Sequence, residues 1–174
     1  MKKLFINLIA LSLVSLGYSQ QSVYTDTANE VTLEGVTVSP LNISYLSMVQ
    51  EESMPDHVTE LENKAARYDI TKSGIYDYEI EDYEITFSHE NGTIIATYDK
   101  NGRILNSYER FNNITLPFEL RNKIYQEYPG WTIHRDAYIV TYFEDSGVTK
   151  ICKLHLRKDG KKLNIKIDMD GNII

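Results

Sequence analysis

Apolar and polar residues alternate over 83–87 and again over 94–98, with an Asn-Gly pair at 91–92 between the two runs. A period of two is that of a β-strand with one buried face, and Asn-Gly supplies the positive φ that a tight hairpin requires. A second turn at 100–102 leads to a third apolar run that opens at Ile104. This part of the chain therefore predicts an antiparallel meander of three strands.

Two other segments have helical spacing. The first runs over about 55–67, with Pro55 suited to an initial turn and Ser53 available as a cap. The second runs from Pro117 to 128, and Pro129-Gly130 ends it because proline cannot continue the hydrogen-bond ladder. The apolar stripes that favour these helices are Val58, Leu61, Ala65 and Tyr68 in the first and Leu120, Ile124 and Tyr128 in the second.

The second helix is again followed by strand patterns, at 131–143, 148–157, 161–168 and, briefly, 173–174. Residues 83–105 and 152–174 align almost without gaps, and each stretch contains an Asp-x-(Asn/Asp)-Gly turn. We therefore expect an α+β fold of two tandem units, each a helix packed on an antiparallel β-meander sheet. The first repeat spans 55–115 and the second spans 116–174.

The beginning of the chain has the features of a secretory signal peptide at 1–19. A basic start precedes an apolar run at 4–16, and small residues occupy positions 17 and 19. The run is too short for a membrane helix, which needs about 20 apolar residues. Residues 20–54 are predicted to be an N-terminal extension or linker, with one strand at 31–38. We expect an exported protein, periplasmic or secreted, with no transmembrane segment after signal removal.

Charge is unevenly distributed along the 174 residues, whose formal net charge is −7. Residues 20–117 contain 6 Lys and Arg against 17 Asp and Glu, a net charge of −11. Residues 118–174 contain 10 against 8, a net charge of +2. A strongly acidic exported protein is electrostatically unsuited to nucleic acid, so no nucleic-acid partner is expected.

The stretch "LPFELRNKIYQEYPGWTI", followed by strands and the terminal "IDMDGNII", resembles the PepSY-like family of exported bacterial proteins, also called β-lactamase-inhibitor-like. The similarity covers 116–174 well and 55–110 loosely, because the first copy lacks the Tyr-Pro that closes the helix. The resemblance implies a helix across an antiparallel sheet and an exported binding or inhibitory role. It brings no catalytic residues with it.

Enzymatic and metal chemistry find little support in the residue pattern. The four histidines have no ligand spacing, and both Asp-containing turns lack the oxygen ligands of a calcium loop. Cys152 lies mid-strand with the apolar Leu154 and Leu156 as its neighbours, which predicts a buried thiol rather than a nucleophile. No glycine-rich phosphate loop or serine-nucleophile motif is present. We therefore predict a non-enzymatic protein without cofactors, and a carboxylate pair assembled in space stays open.

Two surfaces are candidates for partner binding, with solvated or core strands as the plain alternative. Alternation directs a basic set of residues outward, which suits an anionic partner: an envelope or extracellular protein, or an anionic polymer. A Tyr-rich acidic strip at 76–84 suits protein recognition. The candidate residues are Lys153, His155, Arg157, Lys162, Lys166, Tyr76, Tyr78 and Tyr83. A small-molecule or metal-sequestering module, using the cleft between the two sheets, is the alternative function.

Overall fold

The computed structural model describes residues 41–174. The elements in chain order are α1 (Ile43–Val49), α2 (Asp56–Arg67), a 3-10 turn (Ile70–Lys72), β1 (Asp82–His89), β2 (Gly92–Asp99), β3 (Ile104–Asn112), α3 (Phe118–Glu127), β4 (Thr132–Phe143), β5 (Gly147–Lys158) and β6 (Lys161–Ile167). Within these residues the fold is α+β, as the sequence predicted.

The strands form one continuous antiparallel sheet in the order β1-β2-β3-β4-β5-β6. Each strand pairs with the next along the chain, so the sheet is a meander with β1 and β6 at its edges. The buried side chains of α1, α2 and α3 join those of the inner sheet face in a single hydrophobic core. The helices cover one face of the sheet. On the other face the side chains of β5 and β6 are exposed, whereas Ala137 and Ile139 of the central strand β4 are buried.

Residues 41–54 are the described part of the segment 20–54 that the sequence predicts as an extension or linker, and they contribute the helix α1 and several buried side chains to the core. Tyr45 and Val49 of α1 are buried, as is Met54 in the connection to α2. Asn42, at the start of α1, donates to the carbonyl of Gly102 at 3.0 Å and accepts from the amide of Ile104 at 2.7 Å. The predicted signal peptide and the strand at 31–38 lie outside the described residues.

The predicted helices are present with small differences at their starts. α2 begins at Asp56 after Pro55, whose carbonyl accepts from the Val58 amide at 2.9 Å. Ser53 makes no capping hydrogen bond, so the predicted cap is wrong. α3 likewise begins directly after a proline, Pro117. Proline suits these positions because its fixed φ fits a helix entry and its missing N–H costs nothing there.

The strand periodicity is confirmed by burial on the inner face. Phe87, Ile94, Leu154, Leu156 and Ile167 are buried. Ile85 and Ile165 are only half-buried because they lie on the two edge strands, which have a neighbour on one side only. Cys152 is fully buried as predicted, and burial raises the pKa of its thiol to about 12.

The two Asp-containing turns have the same hydrogen-bond pattern. The Asp99 carboxylate accepts from the backbone amides of Asn101 and Arg103, both at 2.9 Å. The Asp168 carboxylate accepts from the amide of Asn172 at 2.7 Å. In both turns the donor is therefore the residue four positions after the aspartate. These acids therefore close their turns through hydrogen bonds to backbone amides.

Candidate functional site

The predicted basic residues of β5 and β6 lie together on the outer face of the sheet. The strand register places Lys153 opposite Lys166, His155 opposite Asn164, and Arg157 opposite Lys162. All of these side chains are exposed, because their neighbours along β5 and β6 turn inward to the core. Strand alternation therefore brings the five predicted residues into one patch.

Two arginines that the sequence prediction missed extend this patch. A bulge between Ile133 and Arg135 places Arg135 opposite His155. Arg110, on the outer side of β3, lies opposite Ile139 of β4. We use the term basic face for Arg110, Arg135, Lys153, His155, Arg157, Lys162 and Lys166.

The cations of the basic face have no acidic partners. Among residues 41–174, none of these side chains takes part in a salt bridge. Asp136 of β4 lies opposite Leu154, on the inner side of the sheet, and accepts from the Ile114 amide at 2.8 Å. Lys153 and Lys166 face each other directly, and like charges in that position destabilise a sheet. Fold stability therefore does not explain this arrangement.

Two histidines, His134 and His155, lie on this part of the sheet. Desolvation lowers the pKa of His134, and the nearby charges of Arg157 and Arg135 lower it further. His155 bonds through Nδ1 to the amide oxygen of Asn164, which fixes its ring orientation. His155 also borders three open surface depressions of about 180, 280 and 290 Å³. The basic face is therefore a broad, shallow surface centred on His155.

The other candidate, the Tyr-rich segment, lies at the β1 edge. Tyr78 is 78% exposed and Tyr76 is 37% exposed, in the loop before β1. Tyr83 is a core residue: its hydroxyl bonds to the backbone of Asp77, and its ring stacks on Tyr76. Tyr83 therefore positions the loop and does not form part of its exposed surface. We use the term acidic strip for the exposed residues Ile75, Tyr76, Asp77, Tyr78, Glu79, Ile80, Asp82 and Glu84.

A cluster of buried acids lies between the helices and the centre of the sheet. Glu62 of α2 and Glu109 of β3 are almost completely buried. Glu109 accepts from the Tyr45 hydroxyl at 2.6 Å and from Ser107 at 3.0 Å, whereas the Glu62 carboxylate has no hydrogen-bond partner among residues 41–174. Burial, reinforced by the Glu109 charge, raises the pKa of Glu62 to about 8, and burial raises that of Glu109 to about 7.

The described part of the chain contains no set of side chains arranged as metal ligands. His57 and His89 stack with ring centroids 6.5 Å apart, a proximity that their sequence spacing did not show. Among residues 41–174, however, no three His, Cys, Asp or Glu side chains are grouped so that they could hold a metal ion.

Neither a family model nor a curated protein matches this chain. In residues 41–174, none of the helices combines the length and the apolar character needed to cross a membrane.

Proposed function

We propose that this chain is an exported, non-enzymatic binding module whose basic face docks an acidic protein surface. The observation that carries the proposal is the basic face itself, with its six Lys and Arg and no salt bridge within residues 41–174. Complementary charge on a partner would relieve the like-charge contacts and accelerate encounter.

The shape of the basic face supports a protein partner over a linear polymer. Its charges spread in two dimensions, about 6.7 Å apart along a strand and about 4.8 Å apart between strands. Flexible polyanions are typically bound along a groove that follows their backbone. A flat grid of charges fits another folded surface better, where shape and charge are matched over an area.

The alternative function, a small-molecule or metal-sequestering module, has less support in the described residues. It required a cleft between two sheets, whereas residues 41–174 form one continuous sheet. The depressions that the basic face borders are open to solvent, including the largest, of about 550 Å³ beside Arg157 and Lys162. Small-molecule sites are usually concave cavities of about 300–1,000 Å³ that enclose their ligand.

We also propose that the molecule consists of two tandem units, 55–115 and 116–174, which share the sheet. The matching turns at Asp99 and Asp168 support this, as does the correspondence of the β1–β2 hairpin with the β5–β6 hairpin. The units differ in one respect: β4 lies between α3 and its hairpin, whereas residues 73–81 between α2 and β1 form no strand. An experimental structure in which the two turns do not superpose would contradict the duplication.

The PepSY-like resemblance stays a prediction, and the binding or inhibitory role it implies is of the same kind as the one proposed. Export likewise rests on the predicted signal peptide at 1–19, which lies outside the described residues.

Binding of labelled polyglutamate, an acidic polypeptide, tests the proposal. Wild-type protein is compared with the triple variant Lys153→Glu, Arg157→Glu and Lys166→Glu. We expect the variant to lose at least about tenfold in affinity, because three attractive charges become repulsive, and wild-type binding to weaken as salt rises. Folding should change little, since exposed charges contribute little to stability.

The matched control carries the same change in net charge on the helical side of the molecule: Lys64→Glu, Arg67→Glu and Lys72→Glu. It should bind polyglutamate within about twofold of wild type, because these residues lie far from the basic face. Equal losses of polyglutamate affinity in the two triple variants would show that net charge alone governs binding, and the proposal would fail. Tighter, face-dependent binding of dextran sulfate than of polyglutamate would favour an anionic polymer instead.

A further inference from the structure

The acidic strip and the basic face occupy diagonally opposite corners of the sheet. The strand register aligns His89 of β1 with Gly92 of β2, Phe111 of β3, Tyr138 of β4 and Cys152 of β5, in one row across the sheet. Asp82 lies seven residues from this row along β1. Arg157 lies five residues from it along β5, on the opposite side of the row. The two edges of the sheet, β1 and β6, are also separated by the width of the sheet, about 24 Å.

The two surfaces therefore cannot meet within one molecule. Their separation exceeds the Debye length of about 8 Å at physiological ionic strength, so their charges are also screened from each other. The described residues leave the positive charges at one corner and the negative charges at the other without mutual compensation.

The acidic strip has the composition of a docking surface. Its acids alternate with exposed apolar side chains, of which Ile75 is 59% and Ile80 is 43% exposed, alongside Tyr76 and Tyr78. Burying these groups against a partner would contribute apolar area, and tyrosine rings pack favourably on Lys and Arg side chains. The basic face offers such cations around the depression between β5 and β6, which Lys153 and Lys166 border.

We propose that the partner of the basic face is a second copy of this chain, whose acidic strip docks there. This inference rests on the proposed function and names the partner for the same face. The two contacting surfaces are different, so the contact is heterologous and each added copy leaves one strip and one face free. Repetition of the contact produces head-to-tail assemblies, closed rings or open-ended chains according to the rotation between copies, which dissociate as salt rises.

Sedimentation velocity of the purified protein over a range of concentrations tests the inference. We expect species larger than a dimer, which grow with concentration and dissociate at about 1 M salt, where the Debye length is about 3 Å. Two neutralising variants separate the surfaces. The strip variant carries Tyr78→Ser, Glu79→Gln, Asp82→Asn and Glu84→Gln, and the face variant carries Lys153→Gln, Arg157→Gln and Lys166→Gln.

Each variant alone should sediment as a monomer, because it lacks one of the two surfaces. An equimolar mixture should form a heterodimer and stop there, since only one intact strip and one intact face remain to pair. Circular dichroism melting checks that both variants stay folded. A mixture that stays monomeric, or variants that assemble like wild type, would overturn the inference. If wild type is monomeric but its basic face binds polyglutamate, self-docking is wrong and the proposed function stands; if polyglutamate also fails to bind, both fail.

Discussion

Glu62 and Glu109 make the stability of the fold depend on pH. Both carboxyl groups are buried with unpartnered oxygens among the described residues, and the pKa of each is raised, to about 8 and about 7. The charged groups near them are Lys150 and Glu51, which form a salt bridge at 2.7 Å. The uncharged hydroxyls of Tyr45 and Tyr138 also lie near the two carboxyl groups. One positive charge that is already paired does not compensate two buried carboxylates, so both are favoured in their neutral form.

The sign of the resulting pH dependence follows from linkage. A carboxyl group whose pKa is higher in the folded than in the unfolded state holds its proton more tightly when folded. Its contribution to the free energy of unfolding therefore decreases as pH rises from about 4.5, the ordinary pKa of glutamate, to about 8 in the case of Glu62. Glu62→Gln mimics the protonated acid and should remove this decrease.

We expect the difference in free energy of unfolding between Glu62→Gln and wild type to be roughly 2–4 kcal/mol more in favour of the variant at pH 8 than at pH 5. Urea unfolding at the two pH values measures the difference. Glu60→Gln, an exposed substitution on the same helix, is the control and should leave the pH dependence as in wild type. Equal pH dependence of wild type and Glu62→Gln would show that Glu62 is not buried as an acid.

At the scale of elements, α1 is the part that the sequence prediction missed. Its seven residues place Tyr45, Leu46 and Val49 in the core, a pattern too short to show helical periodicity. The attachment of α1 depends on Asn42, whose side chain bonds to backbone groups of Gly102 and Ile104, about sixty residues away. Such contacts leave no signal in local spacing.

Asn42→Ala should reduce the free energy of unfolding by about 2–3 kcal/mol, because it leaves a buried amide and a buried carbonyl unpaired. Guanidinium unfolding measures the change. Asn122→Ala on α3, whose side chain makes no hydrogen bond among residues 41–174, serves as the matched control and should change stability by less than about 0.5 kcal/mol. Equal midpoints for the two variants would show that α1 is not held to the turn by Asn42.

Strand alternation predicted most of the sheet and most of the site, because a period of two fixes which side chains share a face. It placed Lys153, His155 and Arg157 outward, and the structure has them exposed. Arg135 could not be assigned in this way, since a bulge shifts its register. Glu62 could have been found: it lies four residues after Val58, on the same inward-facing stripe of α2.

At the scale of the whole molecule, the organising feature is the separation of charge across one sheet. A chain with a formal charge of −7 presents six Lys and Arg side chains on the outer sides of β3 to β6, while acids dominate the β1 edge. The described residues contain no element that brings these surfaces together. An electrostatically polarised molecule of this kind is suited to oriented docking, with charge guiding the encounter.

The most direct test is a residue-resolved map of where an acidic chain binds. The strip variant is labelled with ¹⁵N, because it keeps the basic face and should stay monomeric, and is titrated with polyglutamate. The account predicts that the largest amide shift changes fall on β5 and β6, at 153–157 and 162–166, and at Arg135. Changes concentrated on α1 and α2, or at residues 75–84, would contradict it.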